Sequence, residues 1–143
     1  MQHIKKLIIL LLALLSIKAN AQMGVSSYSI YALGINTNQN KRISGELKTF
    51  TNRDMEELLM EADIFYNFKA RNYHRFSIGV GINLGPFRGF DHIQALTVPF
   101  VLEIYPLQEF KKISLLLELS PEFIPEESLN LTYLWGIRYT FGE

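Results

Sequence analysis

HRFSIGVGINLG, residues 74–85, alternates almost without a fault. In an extended chain one side carries Phe76, Ile78, Val80, Ile82 and Leu84, and the other Arg75, Ser77, Gly79, Gly81, Asn83 and Gly85. Successive side chains of a strand point to opposite faces, so this period of two marks a β-strand with one apolar and one polar face. Which face meets the interior decides what kind of protein this is.

The same period recurs on both sides of the stretch. Downstream, ALTVPFVLEIY sets Leu96, Val98, Phe100, Leu102 and Ile104 against Thr97, Pro99, Val101, Glu103 and Tyr105. KISLLLELS opposes Ile113, Leu115, Leu117 and Leu119 to Ser114, Leu116, Glu118 and Ser120. LNLTYLWGIRYTF opposes Leu129, Leu131, Tyr133, Trp135, Ile137, Tyr139 and Phe141 to Asn130, Thr132, Leu134, Gly136, Arg138 and Thr140. Upstream, EADIFYNFK and KRISGELKTF read as strands, the latter with Glu46 and Lys48 on its polar face, and VSSYSIYALGI as one strand of unassigned facing. RDMEELLMEA carries a competing helix signal, with Thr51 or Asn52 as N-cap. These short segments predict an all-β fold, an antiparallel up-and-down barrel of about eight strands with seven visible. Either an eighth strand lies near residues 22–40, or the barrel closes unusually, or it closes with a partner. Tight turns at ARN (70–72) and PLQEFK (106–111), against longer GPFRGFDH (85–92) and PEFIPEES (121–128), predict short connections at one end and long ones at the other.

The N-terminus has its own pattern. Lys5 and Lys6 precede an apolar run from Leu7 to Ile17, and Ala19 and Ala21 supply the small-x-small site of signal peptidase. The run is shorter than the roughly 20 residues that span a bilayer, so residues 1–21 are expected to be a cleaved signal peptide and 22–143 one domain. Loss of Lys5, Lys6 and Lys18 from 14 basic side chains leaves 11 against 14 acidic, a net charge of −3. That balance lacks the basic footprint of a nucleic-acid binder, and no nucleic-acid partner is expected.

The polar face decides the orientation. A water-facing strand carries long solvated groups, whereas this face offers Ser77, Gly79, Gly81, Gly85 and Gly136. Rows of small residues suit the crowded inside of a narrow barrel, since glycine weakens a strand unless another group approaches closely. The apolar face is long and nearly uncharged over strands of the length that crosses hydrocarbon. Tyr133, Trp135, Tyr139 and Phe141 are placed as aromatics for the two membrane interfaces. The expected face toward lipid is therefore the apolar one.

Several inward charges must then be paired, because an isolated buried ion is unstable. A hairpin turning near 88–89 sets Arg75 opposite Glu103. Glu118 and Arg138 point inward on neighbouring strands, with Glu46, Lys48, Asp63 and Lys69 as further members of a lumen network. No cofactor or metal site is expected. His92 beside Asp91 has no matching cluster, and GVGINLG lacks the following helix of a phosphate-binding loop. Pro99 inside a strong strand implies a bulge or an imperfectly paired position.

YHRFSIGVGINLGPF, VPFVLEIYPL, LLLELSPEFIP and LWGIRYTFGE together resemble the small outer-membrane β-barrel proteins of Gram-negative bacteria. The ending GIRYTFGE is similar to the terminal strand through which such proteins meet the barrel assembly machinery, although Gly142 and Glu143 follow Phe141. The resemblance implies an outer-membrane, lipid-embedded barrel and says little about activity; with no catalytic cluster in the sequence, a non-enzymatic protein with a structural or surface-interaction role is expected. Two alternatives stay open: a secreted periplasmic lipocalin-like barrel holding a small apolar ligand, and a lipid-modifying barrel enzyme.

Overall fold

In the computed structural model, which describes residues 22–51, 58–85, 93–125 and 127–142, the described chain is all β-strand and connection, with no helix. The strands are β1 (Met23–Tyr28), β2 (Ala32–Asn36), β3 (Ile43–Phe50), β4 (Leu59–Asn67), β5 (His74–Leu84), β6 (Ile93–Thr97), β7 (Phe100–Ile104), β8 (Ile113–Phe123) and β9 (Asn130–Phe141). Every pairing is antiparallel. β1 pairs with β9 and β4 with β5, so the sheet returns on itself as a closed barrel. The segment expected to be a signal peptide, with Ala19 and Ala21, lies outside the described residues.

The nine segments fill eight positions in the wall. β6 and β7 lie end to end in one unbroken register, with Gly81 opposite Thr97 and Ile78 opposite Phe100 on β5. The same holds on β8, where Glu122 faces Thr97 and Leu119 faces Phe100. Only Val98 and Pro99 separate them. Gly79 N still donates to Pro99 O at 2.8 Å, and Val98 N to Pro121 O at 3.1 Å. The return bonds are missing because Pro99 and Pro121 have no N–H. Pro99 is thus an imperfectly paired position rather than a bulge; a register shift does occur, but between Asn83 and Leu84.

The strand absent from the sequence count is found within VSSYSIYALGI, which is a hairpin and not one strand. β1 turns back through Ser29, Ile30 and Tyr31 into β2, with Tyr28 opposite Ala32. Tyr31 has φ 55°, the left-handed region that three-residue hairpin loops normally fill with glycine. A tyrosine there conceals the turn. Thr51 N holds the Tyr31 carbonyl at 2.9 Å and Thr51 Oγ1 at 2.5 Å.

Two further expectations need correction. The connections do not split into a short and a long set: the stretches of sequence after β2, β4 and β7 cover the same range of lengths as those after β3, β5 and β8, and the β1–β2 turn at 29–31 is the shortest. Pro121 does not end β8, which runs on to Phe123 because the proline's missing N–H costs one bond and not the strand. The helix signal of RDMEELLMEA falls partly outside the described residues, and from Leu59 onward its end belongs to β4.

The faces sort as the alternation requires. On β5 Arg75, Ser77, Gly79, Gly81 and Asn83 are buried, while Phe76 and Val80 are exposed. The crowding at the glycines is direct. A side chain on Gly81 would strike the Asp63 carboxylate and the Thr97 hydroxyl, and one on Gly79 the Phe65 ring and the Ile64 carbonyl. The buried charges all lie within the barrel, and the outward side chains of its strands are mostly apolar.

Candidate functional site

Among the described residues, ionisable side chains gather in the interior. Lys48, Arg75 and Arg138 are buried there with Glu46, Glu61, Asp63, Glu103 and Glu118, each at 4 % exposure or less. Each belongs to the buried set of its strand's alternation, so the period of two alone aims them inward.

Lys48 on β3 is the first hub. Its Nζ donates to Glu118 Oε1 at 2.6 Å and to Glu61 Oε1 at 2.9 Å, and it lies 2.9 Å from Asp63 Oδ2. The Tyr28 and Phe65 rings flank the ammonium, with centroids at 5.5 and 5.9 Å. Burial of an ammonium is tolerated only when every donor finds an anion, and three carboxylates supply that here.

The second hub joins the two arginines. Arg75 and Glu103 are directly opposite on β5 and β7, and their side chains form an ion pair. Glu103 also accepts from Ser114 Oγ at 2.6 Å and lies 3.6 Å from Arg138 Nη1. Arg138 completes its set with Glu46 at 3.0 Å and Ser26 Oγ at 2.9 Å. Tyr28 donates to Glu46 at 2.6 Å, which ties this hub to the ring beside Lys48. A third, neutral group links Ser77 to Asn67 at 2.6 Å and Asn67 to Ser44 at 2.8 Å. An apolar cluster that includes Tyr28, Ala32, Phe50, Phe65, Leu116 and Leu134 fills interior space between these groups.

The expected pairing of Arg75 with Glu103 is present. Glu118 and Arg138 are both inward but belong to different hubs, because β8–β9 register sets Glu118 opposite Leu134 and Arg138 opposite Ser114. Glu46, Lys48 and Asp63 take part, whereas Lys69 lies beyond the end of β4 and is exposed. Glu61, Ser114, Ser26 and Tyr28 were not singled out beforehand. Glu61 shares the parity of Asp63 and was legible from it; Ser26 and Tyr28 were hidden with the unrecognised hairpin.

On the outside, Tyr133, Trp135, Tyr139 and Phe141 all project from the wall, at 76, 62, 39 and 51 % exposure. Tyr139 and Phe141 pack edge to face at 4.9 Å beside the chain termini. Trp135 sits level with the β1–β2 turn, its carbonyl accepting from Ser29 N at 2.8 Å. A second aromatic row runs from Tyr66 through Phe68 and Phe76 to Phe100, with centroids 5.2, 5.7 and 6.4 Å apart.

Among the described residues no three His, Cys, Asp or Glu side chains are arranged to hold a metal ion. Asp91 and His92, together with Arg88 and Phe90, lie outside the described residues. Comparison of the chain with protein-family models, with curated proteins and with solved structures found no match.

Proposed function

We propose that this chain is an integral outer-membrane barrel, a small non-enzymatic protein with a structural or surface-interaction role, whose lumen is filled by polar side chains. The observation that carries the reading is the inverted burial: ions and small polar groups line the axis, while leucine, isoleucine, valine and aromatic side chains cover the wall. Water would penalise that outer surface heavily, at about 25 cal/mol per Å² of apolar area, whereas lipid chains do not. Exposed apolar patches on soluble monomers rarely exceed a few hundred Å². Here the apolar face continues around every strand of the barrel.

The aromatic pairs support the same placement. Tyr133 and Phe141 are eight residues apart on β9, about 26 Å along the strand. Corrected for the usual tilt, that is about 20 Å of height, most of the roughly 25 Å apolar band of such barrels. Outer-membrane lipid is then the main partner, and the barrel assembly machinery meets the chain through β9. A lipocalin-like role draws no such support, since Ile78, Leu102 and Ile137 lie on the outward faces of β5, β7 and β9 instead of lining a cavity.

The test is fractionation of cells expressing the intact precursor. The mature chain is expected in the outer-membrane fraction and to migrate faster on gels unheated than boiled. Recovery as a detergent-free soluble protein would overturn the reading.

A further inference from the structure

The mouth of the barrel beside the chain termini holds a cavity of about 450 Å³, lined by Gln39, Asn40, Arg75, Tyr105, Lys111 and Lys112, among others. Two of its lining residues carry buried, unsatisfied hydrogen-bond donors, Arg75 Nε and Gln39 Nε2, on side chains 4 and 7 % exposed that must turn slightly before either donor meets the cavity. A buried donor without an acceptor costs about 1–3 kcal/mol, so two at one cavity ask for a ligand oxygen. The acceptors around the Arg75 guanidinium are engaged. Glu103 Oε1 takes Ser114, and Glu103 Oε2 takes Arg75 Nη2 and faces Arg138. The Gln39 carbonyl takes Arg75 Nη1 at 2.6 Å. Arg75, Lys111 and Lys112 outnumber the lining acids Glu103 and Glu109, and Lys111 Nζ and the Arg75 guanidinium carbon lie 5.8 and 5.9 Å from the Tyr105 ring centroid.

We propose that this mouth is a binding site for a phosphoryl group, held by Arg75 Nε, Gln39 Nε2 and the Lys111 and Lys112 ammonium groups. The shape of the donor set favours phosphate over carboxylate. The guanidinium fork is already spent on Gln39, Asn40 and Glu103, so a planar carboxylate finds no bidentate partner. What remains are single donors and ammonium groups on separate segments, which suit a tetrahedral group with several acceptor oxygens. The volume corresponds to roughly fifteen waters, so the phosphate of a larger ester fits as well as the free ion. Its source is either a phospholipid headgroup at the membrane surface or a soluble phosphate ester. Only the first of these depends on the membrane reading above.

The experiment uses the full mature chain, ¹⁵N-labelled and folded in a phosphate-free detergent, with the arginine Nε–Hε signals followed by NMR. Inorganic phosphate is titrated against chloride at constant ionic strength. Arg75 Hε is expected to move and saturate, while Arg138 Hε, already bonded to Ser26, stays in place. Lys111→Gln together with Lys112→Gln is expected to weaken binding about tenfold and to leave the fold intact. In nanodiscs of phosphatidylglycerol, an Arg75 signal already displaced and deaf to added phosphate identifies the headgroup as the source; one that still responds identifies a soluble ester. No saturable movement in detergent with an unchanged signal in nanodiscs would overturn the site. So would equal movement of Arg138, or undiminished affinity in the lysine variant.

Discussion

Lys48 touches three carboxylates from two other strands, and none of the four groups reaches water. Removing one member of a buried ion set leaves the rest uncompensated, a loss of about 3–5 kcal/mol. Lys48→Met keeps the volume and removes the charge, so its unfolding free energy from urea titration in detergent is expected to fall by about that amount, with a lower midpoint. A midpoint equal to the parent's would mean the hub contributes nothing to stability. The second hub makes a graded forecast. Glu103 serves Arg75, Arg138 and Ser114, whereas Arg75 leaves Glu103 two other partners when deleted. Glu103→Ala is therefore expected to lower heat resistance on gels more than Arg75→Ala does, and both below the parent. Unchanged resistance in both variants refutes the pairing.

The β1–β2 hairpin is the anomalous element. Its strands have six and five residues against eleven in β5 and β8 and twelve in β9, so the wall is lowest there. Tyr31 holds the turn in a conformation that disfavours side chains by about 1–2 kcal/mol, and it exposes its ring at 74 %. Tyr31→Gly is expected to raise stability by about 1 kcal/mol, read as a higher unfolding midpoint. A lower midpoint would show that the ring's outward contacts outweigh the backbone strain. The split between β6 and β7 has a different origin. Pro99 removes a donor toward Gly79 and Pro121 one toward Val98, yet register is kept because neighbouring pairs on both sides fix it.

At the scale of the molecule, an eight-position barrel has an interior just wide enough for side chains. Two ion hubs and an apolar cluster occupy it. Across a planar bilayer the purified protein is expected to pass no steady ion current above the lipid leak. Porin-sized conductance would show that the interior empties in the membrane. Filling also sets register: a one-residue slip of any strand would turn its inward ions toward the wall's outer face.

From β3 onward the order of apolar and polar residues by itself determined the strands, their two faces and which face is inside. Those follow from a two-residue period and from the size of Gly79, Gly81 and Gly136, all local properties. It also placed Arg75 opposite Glu103, because one hairpin fixes that pair. Tertiary structure alone decided that Lys48 meets Glu118, 70 residues away, and that Arg138 meets Glu46, 92 away. Such meetings depend on closure between β4 and β5 and between β1 and β9, and on which side chains face one another across the axis. Alternation records the direction of each side chain and says nothing of the distance across the lumen. The hairpin at Tyr31 was hidden for a local reason, since the turn is held by tertiary bonds to Thr51 where a glycine would have announced it.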